Sequence, residues 1–320
     1  MKESKKFEVV LFAGGVGGAK LAEGLINIKN INLSIICNIG DDEEFHGLHV
    51  SPDVDTMIYT LSGFVNKKQG WGVKNDQYRA LNVLKKLGEK TWMLLGDSDF
   101  GLHIYRSKRL MLGHKLSDIT NDISKAFNLK CNIILPTDMR VPTKIKTKNS
   151  WLTFQEYFVQ KRCIPKVEKI EYNNISNVKP NPDAIKAISS ADLIVLAPSN
   201  PLLSLLPIIS IPNIKSTILG NSNAPKIAIS PLIGGKAVKG PANKIMKEMK
   251  IPLNSIGISK FYKEFLDILV IHNKDKKDCD DSDKKNVNFV TTNTLMKTKK
   301  DKINLARFII DQAKIFMSKK

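Results

Sequence analysis

The sequence predicts a doubly wound α/β fold around a mainly parallel sheet, and three observations lead there. Apolar, β-branched runs recur at residues 7–12, 33–38, 131–135, 192–197, 226–230 and 267–272 without the alternation of a half-exposed strand. Such continuity implies burial on both faces, the condition of a strand in a parallel sheet. The runs end in small, polar or turn-forming residues, and helical patterns separate most of them.

The first run leads through four glycines into the helical stretch "GAKLAEGLINI". The second ends in "NIGDD", and after a polar loop Ser51 and Pro52 have the character of an N-cap and first helical residue for "PDVDTMIYTLSG". From about residue 75 to 127 the pattern is mostly helical ("NDQYRALNVLKKLG", "LSDITNDISKAFN"), interrupted by "TWMLLGDSD", where a strand-like apolar run ends at Gly96. The expected organisation is one composite unit over 1–320. Its core spans 5–65 and 129–320, with a helical insertion at about 66–128. The fourth run meets the rigid turn "PSNP", the fifth precedes the helix "GPANKIMKEM", and the sixth precedes a charged stretch at 273–285 that reads as a mobile surface excursion.

A length of 320 residues can bury a large core, and 42% hydrophobic with 25% charged residues is ordinary for a globular protein. The net charge of +19 raises nucleic acid as a partner, but the lysines are spread along the chain and no nucleic-acid motif is present. The reading is a lysine-rich solvated surface with no nucleic-acid partner, whose field would still draw small polyphosphates. Cys37, Cys131, Cys163 and Cys279 form no C-x-x-C pair, so neither zinc nor a disulfide framework is expected, and a reducing cytoplasm fits. The chain runs from charge straight into a strand without a signal-peptide core, and no apolar run approaches the roughly 18 residues of a membrane helix.

Candidate chemistry gathers in five loops. Gly14, Gly15, Gly17 and Gly18 do not make a Walker loop, because Lys20 follows Ala19 and precedes Leu21. They would either let a ligand approach the backbone beneath a helix N-terminus or form a plain tight turn. In the second loop Asp41 and Asp42 end a strand, while Asp53 and Asp55 fall in the first helical turn and point to different sides. These acids serve either the helix dipole or Mg²⁺, which takes a few carboxylates plus substrate phosphate oxygens. His46 and His49 lack further soft ligands, which favours hydrogen bonding over zinc. In the third loop Asp97, Ser98 and Asp99 precede His103 and Arg106; Arg106 would grip phosphate or pair with one of those acids at the surface. Ser199 and Asn200 sit in the rigid turn. Gly234, Gly235, Lys236, Lys239 and Gly240 read as a second phosphate cradle or an ordinary loop. No G-x-S-x-G elbow or His-activated cysteine supports nucleophilic catalysis.

Taken in order, "AGGVGGAKL", "NIGDDEEFHGLHVSPDVDTMIYTLSG", "GWG", "LLGDSD" with His103 and Arg106, "ILPTD", "FQEYFV", "APSNPLLSLLPII", "ISPLIGGKAVKGPA" and "FLDILVIH" resemble the 2-phospho-L-lactate transferase family of coenzyme F(420) biosynthesis. The resemblance covers about residues 7 to 296. It implies a Rossmann-like fold, a homodimer and a Mg²⁺-dependent transfer. In that reaction the terminal hydroxyl of the deazaflavin riboside Fo attacks the phosphate that carries a lactyl or enolpyruvyl group in a guanosine diphosphate-linked donor, and GMP leaves. By the same resemblance, Asp42, Asp53 or Asp55 would hold the metal, and Asp55 would also contact the Fo hydroxyl. A carboxylate or His46 would take the proton. Gly14, Gly15, Gly17, Gly18, Asp97, Ser199, Asn200, Gly234 and Lys239 would bind the nucleotide. Asp55→Asn would then abolish turnover and leave the fold intact. The family's usual Gly-Asp-Arg-Asp reads Gly96, Asp97, Ser98 and Asp99 here, so a cation is lost near the site, and either Arg106 or a lysine compensates or the donor differs. The alternative is a non-enzymatic sugar-nucleotide-binding regulator; a nicotinamide-dependent dehydrogenase is suggested by fold alone.

Overall fold

Seven parallel strands form the centre of the computed structural model, which describes residues 5–238, 240–279 and 287–319. The chain enters with β1 (Phe7–Ala13), passes through α1 (Gly15–Leu25) and returns as β2 (Ile31–Cys37). A hairpin of β3 (Glu43–Phe45) and β4 (Leu48–Val50) leads into α2 (Pro52–Ser62). Three helices follow, α3 (Arg79–Lys86), α4 (Asp97–Met111) and α5 (Leu116–Ala126), before β5 (Asn132–Ile134) rejoins the sheet. A small antiparallel sheet of β6 (Thr143–Lys146), β7 (Trp151–Thr153) and β8 (Lys169–Tyr172) branches off next. Then come α6 (Pro182–Ser190), β9 (Leu193–Leu196), α7 (Leu206–Ile209), α8 (Ile214–Gly220) and β10 (Lys226–Ile229). The β11–β12 hairpin (Leu232–Ile233, Lys236–Ala237), α9 (Ala242–Glu248) and α10 (Ser255–Ser259) precede β13 (Ile268–His272), β14 (Asn288–Thr292) and α11 (Lys299–Met317).

The strand order is β14-β13-β10-β9-β1-β2-β5. The chain builds outward from β1 in one direction through β2 and β5, then returns to β9 and builds the other way, so the order reverses at β1. Ligands of such sheets bind beyond the strand C-termini at that reversal.

Burial on both faces explains the unbroken apolar runs. In β1, Val9, Leu11 and Ala13 pack into a core with α1, α2, α5 and α11, while Val10 and Phe12 pack into the opposite core with α6, α7 and α8. Each fully buried side chain of this size contributes about 1.5–3 kcal/mol. The six expected strands are all present, within a residue or two at their ends. The seventh, β14, pairs in parallel with β13.

Two expectations are corrected. The apolar run at 91–96 is irregular chain, not a strand; its Leu95 joins Phe45, Val50, Leu81 and Phe100 in a small core between the β3–β4 hairpin and the inserted helices. The charged stretch is not a loose excursion where it is described. Residues 273–279 form a 3₁₀ turn whose Asp275 accepts from the Gly234 and Gly235 N–H groups, and whose Asp278 accepts from Ser255 N–H. Residues 280–286 lie outside the described residues.

Candidate active site

Asn38, wholly buried at the tip of β2, organises the acids. Its Nδ2 donates to Asp41 Oδ1 at 3.0 Å and Asp53 Oδ2 at 2.9 Å, with Leu203 O at 3.3 Å, and its Oδ1 accepts from Gly40 N–H at 2.9 Å. An amide can do this because it carries donors and an acceptor on one rigid plane. Asp41 is held well above the usual carboxylate range by burial, then by the charges of Asp53 and Asp42. Burial also pushes Asp53 up to about 6, against hydrogen bonds from Asn38 and Gly15 N–H.

Asp42 shares this region. Its Oδ2 lies 3.1 Å from His49 Nε2 and accepts from Ser51 Oγ at 2.8 Å. Burial raises it, and those two hydrogen bonds oppose the rise. Ser51 thus stands at the N-cap of α2 but spends its hydroxyl on Asp42. Asp42 Oδ1 is buried with no hydrogen-bond partner among the described residues.

The glycine loop is occupied by the chain itself. Asp53 supplies the negative charge at the N-terminus of α1 by accepting from Gly15 N–H, and a Cβ at Gly14 would collide with that carboxylate. A Cβ at Gly17 would stand 2.5 Å from Pro198 O, and one at Gly18 2.7 Å from the Ala13 Cβ. These glycines therefore serve close packing against β1 and the β9 loop. Ser199, expected to meet the nucleotide, donates to Gly14 O at 2.7 Å and stitches the two loops together. Asn200 caps the π-helical turn Pro201–Leu205 through Oδ1, while its Nδ2 is buried without a partner.

Asp55 and Arg106 depart furthest from expectation. Arg106 is fully buried, and both its Nη atoms donate to the Asp55 carboxylate, Nη1 to Oδ2 at 3.2 Å. Burial pulls the guanidinium down, but the neighbouring groups, Asp55 first and then Asp42 and Tyr59, more than offset it and hold Arg106 above its usual range. Arg106 therefore does not pair at the surface with Asp97 or Asp99, and both oxygens of Asp55 accept from its guanidinium. Arg106 Nη1 also lies 3.3 Å from His103 Nδ1. Because arginine only donates, that nitrogen accepts, leaving His103 Nε2–H buried without a partner. Burial first, and Arg106 among the opposing charges, hold His103 down at about 4.

The remaining candidates lie apart from the acids. His46 occupies the hairpin turn with φ 53°, its Nδ1 4.0 Å from Glu89 rather than on the acid group. Asp97 caps α3 through Ala80 N–H and pairs with Arg79; Asp76 in turn caps α4 through Ser98 and Asp99 N–H. Gly234 forms a hairpin turn whose N–H is taken by Asp275. Lys239 lies outside the described residues.

A hard cation fits part of the expected set. Oxygen donors suit Mg²⁺, Asp42 Oδ1 is an open buried acceptor, and Asp41, Asp42 and Asp53 repel one another. Asp55 does not fit, since Arg106 holds both oxygens. Among the described residues no three His, Cys, Asp or Glu side chains assemble into a metal site, so substrate oxygens would have to complete the shell.

One turn beyond Asp55 on α2, Tyr59 lines a cavity of about 580 Å³. Phe64, Val73, Leu102, Tyr105, Ile123 and Phe127 make it apolar and aromatic. Its polar lining includes Lys74, Asp122 and Ser98, the position at which the resemblance leads one to expect an Arg. Sequence reading passed over Asn38 and this cavity. For the histidines a signal was present: "EEF-HG-LHV" is a two-residue hairpin, which puts His46 in the turn and His49 on a strand.

Comparison with known proteins agrees with this architecture. Among the described residues no single helix is long and apolar enough to cross a membrane. A crystal structure of a UPF0052 family member from Bacillus halodurans superimposes with a TM-score of 0.62 at 15% identity, covering 96% of this chain and all of that one, which supports the fold alone. The 2-phospho-L-lactate transferase of Methanocaldococcus jannaschii is 36% identical over 310 residues, 95% of this chain and 98% of the relative. That of Methanococcoides burtonii is 34% identical over 303 residues, 94% and 98% of the two chains. Residues 9–308 match the family described as 2-phospho-L-lactate transferase CofD, and the chain belongs to that family.

Proposed function

We propose that this chain moves a phospholactyl or enolpyruvyl-phosphate group from a guanosine diphosphate-linked donor to the terminal hydroxyl of the deazaflavin riboside Fo, releasing GMP. The observation that carries the reading is that α2 bears both a buried carboxylate at its N-terminus, Asp53, and Tyr59, which lines an aromatic cavity. A volume of about 580 Å³ lies within the range of small-molecule sites, and its flat apolar walls suit a fused-ring acceptor better than a sugar.

Phosphoryl-type transfer asks a protein for alignment and charge stabilisation more than covalent chemistry. Asn38 fixes the Asp41 and Asp53 carboxylates, and the apolar cavity would keep water from the acceptor. Asn200 offers an unpaired Nδ2 donor beside the glycine loop for the nucleotide. Mg²⁺, held by Asp42 and Asp53, would neutralise the diphosphate. His46 stands beside Glu89, and in this reading a carboxylate of the acid group would take the proton of the attacking hydroxyl. Arg106 and Asp55 act as one internal strut beneath these groups.

The test is turnover. Purified protein is incubated with Fo, Mg²⁺ and either the lactyl or the enolpyruvyl donor, and products are identified by mass. The reading expects an Fo phosphodiester and an equal amount of GMP with at least one donor. Nucleotide binding without product from either would instead support the regulator, and light scattering on the same sample tests the homodimer.

A further inference from the structure

Helix α4 presents two faces with different work. Ser98, Gly101, Leu102 and Tyr105, spaced three and four apart, line the aromatic cavity. His103, Arg106 and Ser107 lie on a neighbouring face turned toward α2 and β4. Both main-chain groups of His49 are gripped from that second face. Its N–H donates to Ser107 Oγ at 2.7 Å, and its carbonyl accepts from Arg106 Nη1 at 3.3 Å.

The hairpin explains why those groups are available. Phe45 and Leu48 close the two-residue turn, so the next pair, Glu44 with His49, falls at a position where the partner strands exchange no hydrogen bonds. The backbone of His49 therefore faces outward and α4 completes it. With the backbone held, the imidazole reaches Asp42 Oδ2, Ser51 takes the same oxygen, and Oδ1 is left as the open acceptor.

We infer that Ser107 is a positioning residue: through the backbone of His49 it sets the orientation of Asp42, and it ties that orientation to the helix that walls the cavity. Ser107 does not touch substrate in this account. The inference rests on the transfer reading for its role in turnover, but its geometric content stands without substrate.

The test compares Ser107→Ala with Ser107→Thr, whose hydroxyl is kept and whose extra methyl can enter the shallow pocket that Ser107 lines beside Gly47 and Ile104. Mg²⁺ affinity is measured by calorimetry without substrates, and the His49 ring nitrogens are followed by ¹⁵N NMR. Loss of a partner bonded directly to a metal ligand weakens metal affinity by about tenfold to a hundredfold, and Ser107, acting on Asp42 through His49, is expected at the lower end of that range. Ser107→Ala is expected to show that loss, a shifted His49 signal, and a lowered kcat with the KM for Fo little changed, while Ser107→Thr restores all three. Wild-type Mg²⁺ affinity with an unmoved His49 signal in Ser107→Ala would overturn the inference, as would failure of Ser107→Thr to restore them. Should Ser107→Ala not fold, His49→Gln, which keeps a donor at the Nε2 position, is compared with His49→Leu; equal Mg²⁺ affinity in those two overturns it as well. Because calorimetry and NMR need no turnover, failure of the transfer assay leaves this result readable.

Discussion

Arg106 of α4 and Asp55 of α2 form a bidentate ion pair with the arginine wholly buried, joining the helical insertion to the helix that borders the strand tips. Removing one partner leaves the other charged and desolvated, which costs about 3–5 kcal/mol. Asp55→Asn is therefore expected to lower unfolding free energy by that amount, contrary to the sequence-based expectation of an intact fold. Urea unfolding checks this; a loss under about 1 kcal/mol would contradict a desolvated pair.

Gly17 faces the Pro198 carbonyl, backbone that cannot step aside. Gly17→Ala should destabilise by about 1–3 kcal/mol through overpacking, equally with and without guanosine nucleotide. Melting curves at saturating and zero nucleotide compare the two. A loss confined to the nucleotide-bound form would return Gly17 to ligand contact.

Gly101 opens onto the cavity with nothing within 4 Å of where a Cβ would stand. Gly101→Leu should fill that space, raise the KM for Fo by at least about tenfold, and leave the melting temperature unchanged or higher, since glycine is a poor helix former. Unchanged KM in a folded variant would take the acceptor out of this cavity.

The fold was legible where burial is symmetrical. Strands such as 192–197 advertise themselves because both faces are covered, whereas β14 ("NFVTT") is a partly exposed edge strand beyond a charged stretch and carries little apolar signal. The acid site was half legible. Asp41, Asp42 and Asp53 could be named from their place at a strand end and helix start. Their sorting could not, because it depends on Asn38 reaching across 15 residues to Asp53 and on Arg106 reaching across 51 to Asp55. The glycine loop stayed open between two readings for a related reason: a tight turn reads the same whether a phosphate or Asp53 fills it.

Asp53 sets a pH dependence whose sign follows from its shift. Its value of about 6 in the fold exceeds the ordinary 3.8, so between these the folded chain keeps a proton that the unfolded chain has released. Stability of the metal-free protein should therefore gain a contribution that falls as pH rises from about 4 to about 6 and stays lost above. Mg²⁺ requires ionised carboxylates, so its stabilising shift should grow over the same interval. Melting curves of wild type and Asp53→Asn across pH 4–8 check both. A wild-type Mg²⁺ shift at pH 5 as large as at pH 8 would contradict it.

The most direct measurement is a crystal structure of the chain with Fo and Mg²⁺. The account predicts the fused ring between Tyr59, Phe64 and Tyr105, with the ribityl chain running toward Asp42 and Asp53. A ring bound elsewhere, or a ribityl terminus pointing away from those two carboxylates, would contradict it.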